Sequence, residues 1–270
     1  MNLNPQIVYS NSKQSKMNEL FDFHLHPFID PINSIARYGH PADLKEFLEH
    51  LQRHGITHCA GSVIHHVDGS DFKEIQKMNE ESLKIRDIAP DGFYYPGIHI
   101  HPNFPEESCN ELQRMHSEGV RLIGELVPYV MNYTEYCHPG LEMPLKIAAD
   151  LGMVLSIHSG AIEDMEAMIA RNPKLNVVMA HPGEYASYME KIELCKNHQN
   201  AFIDICGTGL FRHRMLEYGI KILGAERFLF ATDFPTCNVG MQIGAIKYAD
   251  ITDNERMLVC SGNARRLLGV

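Results

Sequence analysis

The feature that most constrains the fold of this chain is a repeated alternation of short apolar runs with longer stretches of helical periodicity. Eight runs rich in β-branched, aromatic or aliphatic residues follow one another, and each is short enough to be a strand. They are FDFHLH from Phe21, HCAGSVIHH from His58, FYYPGIHIH from Phe93, VRLIGELV from Val120, MVLSIH from Met153, NVVMAH from Asn176, AFIDICG from Ala201 and FLFATD from Phe228. Strands separated by helices predict a parallel sheet.

The stretches between these runs have the apolar spacing of amphipathic helices. In PADLKEFLEHLQRHG the apolar residues recur at i, i+3, i+4 and i+7, namely Leu44, Phe47, Leu48 and Leu51. Gly55 then supplies a C-terminal stop. Similar patterns occur in NELQRMHSEG, GLEMPLKIAADLG, AIEDMEAMIARNP and YMEKIELCKNH.

A last helix is predicted near the C-terminus, where Thr252 and Glu255 match the S/T-x-x-E capping box. Eight strand–helix units in about 250 residues are what a (β/α)8 TIM barrel needs, and an open doubly wound sheet is the alternative. The chain shows no internal repeat, low-complexity tract or linker. We therefore expect residues 17–270 to form a single barrel domain, preceded by a polar N-terminal extension of residues 1–16.

The charge composition of the chain indicates which kinds of molecule it binds. The 34 acidic and 24 basic residues give a formal net charge of -10, and no run of lysine and arginine stands out. A nucleic-acid partner is therefore not expected, because phosphate binding calls for clustered basic side chains. We expect a small-molecule substrate, and association into a homo-oligomer stays open.

Cysteine usage and hydropathy bear on the compartment. The seven cysteines show no C-x-x-C spacing, which is typical neither of a disulfide framework nor of a zinc finger and favours a reducing compartment. The first 16 residues lack the apolar core of a signal peptide, and no stretch approaches the roughly 18 apolar residues of a membrane span. We therefore expect a cytoplasmic protein without membrane contact.

Side chains with metal-binding chemistry fall at the ends of the predicted strands. His24 and His26 share one face of the first strand, because strand side chains alternate. A His-x-His pair alone is a weak signal in a chain with 16 histidines. Further candidates lie in or at the end of later runs, namely His99, His101, Glu125, His158, His181 and Asp233. A barrel gathers its active site at the carboxyl ends of its strands, so these side chains are predicted to converge.

Neutral imidazoles with one or two carboxylates form a ligand set suited to Zn²⁺, with Mn²⁺, Fe²⁺, Co²⁺ or Ni²⁺ as alternatives. Either one or two ions would fit this number of ligands. A bound ion would lower the pKa of its water from about 16 toward about 7 and would polarise a substrate carbonyl. The sequence thus predicts a metal centre that performs catalysis.

The motifs that carry these residues resemble the metal-dependent amidohydrolase superfamily, and within it the amidohydrolase-related group (amidohydrolase 2), which also contains aromatic-acid decarboxylases. In chain order the motifs are FDFHLHP, IGEL, LSIHSG, VVMAHPGE, RFLFATDFP and SGNARRLLG, so the resemblance covers most of the chain. It implies that the metal ligands are His24, His26, His158 and Asp233. It also implies that Asp233 doubles as the proton shuttle for an attacking water.

The resemblance leaves alternative roles for two residues. His181 matches a strand-six histidine that lies beside the metal in one-metal members, where it polarises the substrate or orients the nucleophile, and that is a ligand in two-metal members. Glu125 occupies the strand-four position of a bridging carboxylate in two-metal members. Its alternative role is to accept a hydrogen bond from a ligating histidine. A glutamate at this position also resembles the TatD-like metal-dependent nucleases.

Four residues are candidates for substrate binding. His99 and His101 share a strand face and could line the mouth of the pocket, with ordinary loop histidines as the alternative. Arg212 could pair with a substrate carboxylate through its planar guanidinium, although a surface ion pair is the more frequent fate of such a residue. Tyr129 lies at a loop start where substrates contact barrels of this kind.

The function expected first is a metal-dependent hydrolase that attacks a small amide, ester or lactone with metal-activated water. Glu125 favours this interpretation, because a two-metal site serves water activation. The alternative is a metal-dependent, non-oxidative decarboxylase of a small carboxylic acid that uses the same ligands. A TatD-like nuclease and a metal-binding barrel without catalysis are further alternatives.

Overall fold

The computed structural model describes residues 19–210 and 212–270, so the predicted extension of residues 1–16 lies outside the described residues. Within this part of the chain, eight strands form one sheet in sequential order, and every neighbouring pair is parallel. Each predicted run contains one strand. The strands are Phe21–Leu25 (β1), His58–Gly61 (β2), Tyr94–Ile98 (β3), Leu122–Leu126 (β4), Val154–Ile157 (β5), Asn176–Met179 (β6), Ala201–Asp204 (β7) and Phe228–Leu229 (β8).

The segment after β8 closes the sheet against β1. Phe23 N donates to Phe230 O at 3.0 Å, and Asp233 N donates to His24 O at 2.8 Å. A bridge between Leu25 and Phe234 extends this contact. The fold is therefore a single (β/α)8 TIM barrel, as predicted, and the doubly wound alternative is excluded.

Helices follow the strands and cover the barrel. Among the described residues they are Leu44–Arg53 (α1), Phe72–Ile88 (α2), Pro105–Ser117 (α3), Pro139–Asp150 (α4), Ile162–Arg171 (α5), Tyr185–Asn197 (α6), Met215–Leu223 (α7), Val239–Lys247 (α8), Asp253–Met257 (α9) and Asn263–Leu268 (α10). Short 3₁₀ turns occupy Pro31–Asn33 and Ala225–Arg227. None of the helices in the described ranges is long and apolar enough to cross a membrane.

The predicted features of α1 and of the C-terminal segment are confirmed. Asp43 caps α1 by accepting a hydrogen bond from Glu46 N at 2.8 Å, and the four predicted apolar residues of this helix are buried. Thr252 and Glu255 form the predicted capping box at the start of α9. A π-helical turn over Leu258–Gly262 then joins α9 to α10.

Apolar side chains fill the interior of the barrel at the amino-terminal end of the strands. Phe21 and Phe23 of β1 pack in one cluster with single residues from other strands and with three residues of α10, namely Ala60, Leu122, Val154, Val178, Phe202, Leu229, Ala264, Leu267 and Leu268. Seven strands contribute buried side chains and Tyr95 of β3 packs against them, as expected of a packed barrel core. The space left for polar groups is at the opposite, carboxyl end of the strands.

Candidate metal centre

The two histidines of the first strand converge with Glu125, as predicted. His24 Nε2 lies 3.0 Å from His26 Nε2, and Glu125 Oε2 lies 3.3 and 3.5 Å from these two nitrogens. Ligands about 2.0–2.1 Å from a tetrahedral ion stand about 3.3 Å apart, so this spacing is that of atoms sharing one cation. All three side chains are buried. The donor types and their spacing fit a divalent transition-metal ion.

Asp233 joins this group from the segment after β8. Its Oδ1 lies 3.6 Å from His26 Nε2 and 3.9 Å from His24 Nε2. The backbone of Asp233 is left-handed, with φ 57°, which is uncommon outside glycine. The preceding residue, Thr232, is fixed by Asp22, which accepts from its amide at 2.9 Å and from its hydroxyl at 2.5 Å. Contacts with β1 therefore hold this segment in place.

His158 and His181 complete the ring of imidazoles on the other side of Glu125. His158 Nδ1 lies 2.9 Å from Glu125 Oε1, and His181 Nε2 lies 3.6 Å from the same oxygen. Their two rings meet edge to face with centroids 4.9 Å apart. The structure thus brings together the six residues predicted as ligands: His24, His26, Glu125, His158, His181 and Asp233.

The Nδ1 atoms of His24 and His26, which point away from the site, each lie beside a hydrogen-bond acceptor. His26 Nδ1 lies 3.1 Å from the carbonyl oxygen of Ser62, and His24 Nδ1 lies 2.9 Å from Asp204 Oδ2. Because these oxygens accept, a proton on Nδ1 of each ring is hydrogen-bonded, and Nε2 is the nitrogen of each ring that faces the site. Acceptors of this kind orient metal-binding histidines.

Charge is concentrated in this buried space. Burial by itself raises the pKa of Glu125, but the attraction of His24 and hydrogen bonds from His158 and the β1 histidines hold it well below its usual range. Burial likewise opposes ionisation of Asp204, whose pKa is nevertheless lowered by His24 and His181. Ionised carboxylates without water need a positive partner. A bound cation would supply that charge.

A cavity of about 530 Å³ opens beside His158. Its walls include three tyrosines, of which Tyr129 is 67% exposed and Tyr133 is buried. The Tyr136 hydroxyl donates to the carbonyl oxygens of Leu126 and His158 at 3.0 and 2.8 Å. Among the described residues, those that line it are Pro128, Tyr129, Tyr133, Thr134, Glu135, Tyr136, His158, Ser159, Gly160, Ala161 and Asp164.

The other predicted substrate-binding residues lie outside this cavity. His99 is fully buried with Nε2 2.8 Å from Val63 O, and burial lowers its pKa to about 4. His101 Nε2 lies 2.7 Å from Met131 O, and its Nδ1 accepts from Asn103 N at 3.2 Å. The rings of His99 and His101 therefore form hydrogen bonds with the protein backbone.

Arg212 lies on the surface between α6 and α7. Its guanidinium donates twice to Glu184 Oε2, at 3.0 and 2.7 Å. This is the surface ion pair given as its alternative. Its pairing with a substrate carboxylate stays a prediction.

Two buried charged residues of this region were missed by the sequence analysis. Asp204 ends β7, and Lys191 on α6 donates to Ser159 Oγ at 2.6 Å and to the carbonyl oxygen of His181. The signal for Asp204 was available, because AFID ends in a polar residue as the other strand runs do. Lys191 carried no such signal, since lysine in a helix is usually exposed.

Comparison with known proteins agrees with the motifs. The model of the amidohydrolase family matches residues 22–270. Gamma-resorcylate decarboxylase of Rhizobium radiobacter is 31% identical over 117 residues, which span 36% of this chain and 35% of that protein. The chain therefore matches only about a third of the length of this curated relative.

Two solved structures share the fold at low sequence identity. A 2,6-dihydroxybenzoate decarboxylase complexed with 2,6-dihydroxybenzoate has a TM-score of 0.71 and 17% identity, over 94% of this chain and 99% of that chain. A 5-carboxyvanillate decarboxylase from Novosphingobium aromaticivorans, crystallised with manganese and 4-hydroxy-3-methoxy-5-nitrobenzoic acid, has a TM-score of 0.73 and 12% identity, over 94% and 97% of the two chains.

The expectation that hydrolysis is the primary function is wrong in the light of these comparisons. The curated relative and the structural neighbours are mainly decarboxylases, which was the alternative. The inference from Glu125 to hydrolysis does not follow, because a carboxylate whose Oε1 lies 2.9 Å from His158 Nδ1 could equally orient that histidine. Glu125 lies in two groups of possible metal ligands, and its bridging role stays a prediction.

Proposed function

Because the chain belongs to the amidohydrolase family, we propose that it is a metal-dependent, non-oxidative decarboxylase of a small aromatic carboxylic acid. The observation that carries this proposal is the position of the donor set beside a cavity walled by three tyrosines. Flat aromatic walls suit a flat ring. A bound metal ion beside this cavity would be a positive partner for a substrate carboxylate.

The metal would be held by His24, His26 and Glu125, whose donor atoms lie 3.0–3.5 Å apart, with Asp233, His158 and His181 as further ligands or neighbours. Zn²⁺ is the ion we expect from this donor set, and Mn²⁺ is its strongest competitor, since one structural relative was crystallised with manganese. When bound, the ion would supply the positive charge that binds and orients the carboxylate of the substrate.

The reaction requires one proton from the protein. We assign it to Asp233, whose Oδ1 lies 3.6 Å from His26 Nε2. The proton adds to the ring carbon that bears the carboxylate, the bond from that carbon to the carboxyl carbon breaks, and carbon dioxide leaves while its electron pair stays on the ring. Tyr129 and Tyr133 would hold the ring in the cavity, and His181 would contact the substrate or the metal.

The test is to load the purified protein with Zn²⁺ or Mn²⁺ and incubate it with a panel of hydroxylated benzoic acids and a matched panel of aryl esters and lactones. We expect carbon dioxide and the corresponding phenol from at least one acid, with no turnover by His24→Ala/His26→Ala. Hydrolysis of an ester or lactone without release of carbon dioxide from any acid would refute the proposal.

A further inference from the structure

Asp204, the last residue of β7, is a buried carboxylate to which the proposed reaction assigns no step. It is completely buried, and its two oxygens serve two different histidines. Oδ2 lies 2.9 Å from His24 Nδ1, and Oδ1 accepts from the backbone amide of His181 at 3.1 Å. One side chain of β7 therefore contacts β1 on one side and the segment after β6 on the other.

We propose that Asp204 is the positioning residue of the metal centre, because it fixes both the tautomer of His24 and the location of His181. The proposal rests on the metal-dependent function proposed above. A carboxylate at Nδ1 keeps a ring proton there, so Nε2, the atom that lies 3.0 Å from His26 Nε2, is the nitrogen left to bind a metal. Were the proton on Nε2, His24 could not bind a metal through that atom.

The contact with His181 acts on the backbone. His181 has φ 61°, in the left-handed region that non-glycine residues seldom occupy. Its amide is held by Asp204 Oδ1, and its carbonyl oxygen accepts from Lys191 Nζ, so both polar groups of this peptide are tied. Strained conformations of this kind persist only where the surroundings enforce them. Asp204 therefore helps to direct the His181 ring toward Glu125.

Cys206 provides the local control for this role. Its Sγ lies 3.0 Å from Asp204 Oδ1 and 3.3 Å from the Nδ1 atoms of both His24 and His181. The thiol donates to the carboxylate, whose acceptor Oδ2 still faces His24. Removing the thiol takes away a neighbour of the two rings without removing the acceptor that fixes the His24 proton.

The experiment compares Zn²⁺ affinities by competition with a chromophoric chelator. Asp204→Asn keeps the size of the side chain, but its amide cannot accept hydrogen bonds at both ends. We expect its Kd for Zn²⁺ to rise by about 10- to 100-fold, the range for losing a partner of a ligating histidine. Cys206→Ala should stay within about threefold of the parent. Asn263→Ala should also keep its Kd for Zn²⁺ within about threefold of the parent. This variant loses two buried hydrogen bonds beside β8, away from the site, and so controls for general destabilisation.

A second readout follows the His24 ring directly. Nitrogen-15 chemical shifts of the metal-free parent should show a proton on His24 Nδ1, and Asp204→Asn should shift the protonation of that ring away from Nδ1. A parent without a proton on His24 Nδ1 would overturn the inference, as would an Asp204→Asn variant with unchanged Kd and unchanged His24 shifts. If Kd is unchanged in Asp204→Asn but metal binding is lost in His24→Ala, only the positioning role fails. A parent that binds no metal contradicts the proposed function as well.

Discussion

The carboxylates around the metal centre differ in what they contact, and this difference suggests different roles. Glu125 lies 2.9 Å from His158 Nδ1, and Asp204 lies 2.9 Å from His24 Nδ1. Within residues 19–210 and 212–270, the histidine nitrogen nearest to Asp233 is His26 Nε2, 3.6 Å from Oδ1, and the Cys237 thiol donates to Oδ2 at 3.5 Å. The carboxylate held least tightly by a histidine is the one best placed to exchange a proton with a substrate.

Replacing Asp233 by asparagine should separate proton transfer from metal binding. Asp233→Asn keeps the size of the side chain and leaves His24, His26 and Glu125 as ligands, but it removes the exchangeable proton. We expect kcat for decarboxylation to fall by on the order of 10² or more, with most of the metal retained. Steady-state kinetics and metal analysis on one preparation measure both quantities. Asp253→Asn, an exposed change on α9, is the control, and full turnover by Asp233→Asn would remove Asp233 from the reaction.

His99 should make the stability of the protein sensitive to acid. Its pKa is lowered from 6.5 to about 4 by burial, so between these values the unfolded chain binds more protons than the folded one. Stability therefore rises with pH across this window, and at pH 5 the folded state has lost about 2 kcal/mol through this residue relative to pH 7.

Urea unfolding of the parent and of His99→Gln at pH 7 and pH 5 measures this effect. Glutamine can still donate to Val63 O, but it does not titrate. The variant should lose about 2 kcal/mol less than the parent on acidification. Equal losses in the two proteins would show that His99 is not the buried neutral group.

At the scale of strands and helices, the eight strands could be predicted because their apolar runs are short and evenly separated. Helix α2 was not singled out, since its buried face carries Asn79 and Ser82, which break the apolar pattern. Both side chains hydrogen-bond backbone amides outside the helix: Asn79 Oδ1 accepts from His99 N at 2.7 Å, and Ser82 Oγ accepts from Val63 N at 3.2 Å. The spacing of apolar residues cannot predict such buried polar residues.

The C-terminal helical segment depends on its first turn. Thr252 Oγ1 accepts from Glu255 N at 3.2 Å, and Thr252 N donates to Glu255 Oε2 at 2.7 Å. Thr252→Ala should lower the free energy of unfolding by about 1 kcal/mol, the usual cost of an N-cap. Thr252→Ser keeps the acceptor and should stay close to the parent in the same urea titration. An alanine variant as stable as the serine variant would show that the cap contributes nothing.

At the scale of the whole molecule, the metal centre exists only when the barrel is closed. Its ligands come from β1, β4 and the segments after β5, β6 and β8, and the hydrogen bond from Thr232 N to Asp22 joins residues 210 positions apart. The strand-end positions of the ligands could be predicted from sequence. The hydrogen bonds that orient the ligands, such as that of His24 with Asp204, could not be predicted, because they depend on which strands become neighbours across the barrel.

Metal removal should therefore lower the melting temperature. A ligand present at 100 times its Kd stabilises the folded state by about 2.7 kcal/mol, which for a domain of this size corresponds to a shift of about 5–10 °C. Calorimetry with and without a chelator measures the shift. His24→Ala/His26→Ala should show no difference between the two conditions, whereas a parent that melts at one temperature in both would contradict coupling of the metal to the fold.

The most direct test of the proposed function is mass spectrometry of the product formed by the metal-loaded protein in deuterium oxide. Decarboxylation of an aromatic acid predicts release of carbon dioxide and a phenol that carries one deuterium at the ring carbon that bore the carboxylate. The same sample treated with a chelator should yield neither. A product that retains its carboxylate and has gained oxygen from the solvent would contradict the account, because it would show that the site activates water for hydrolysis.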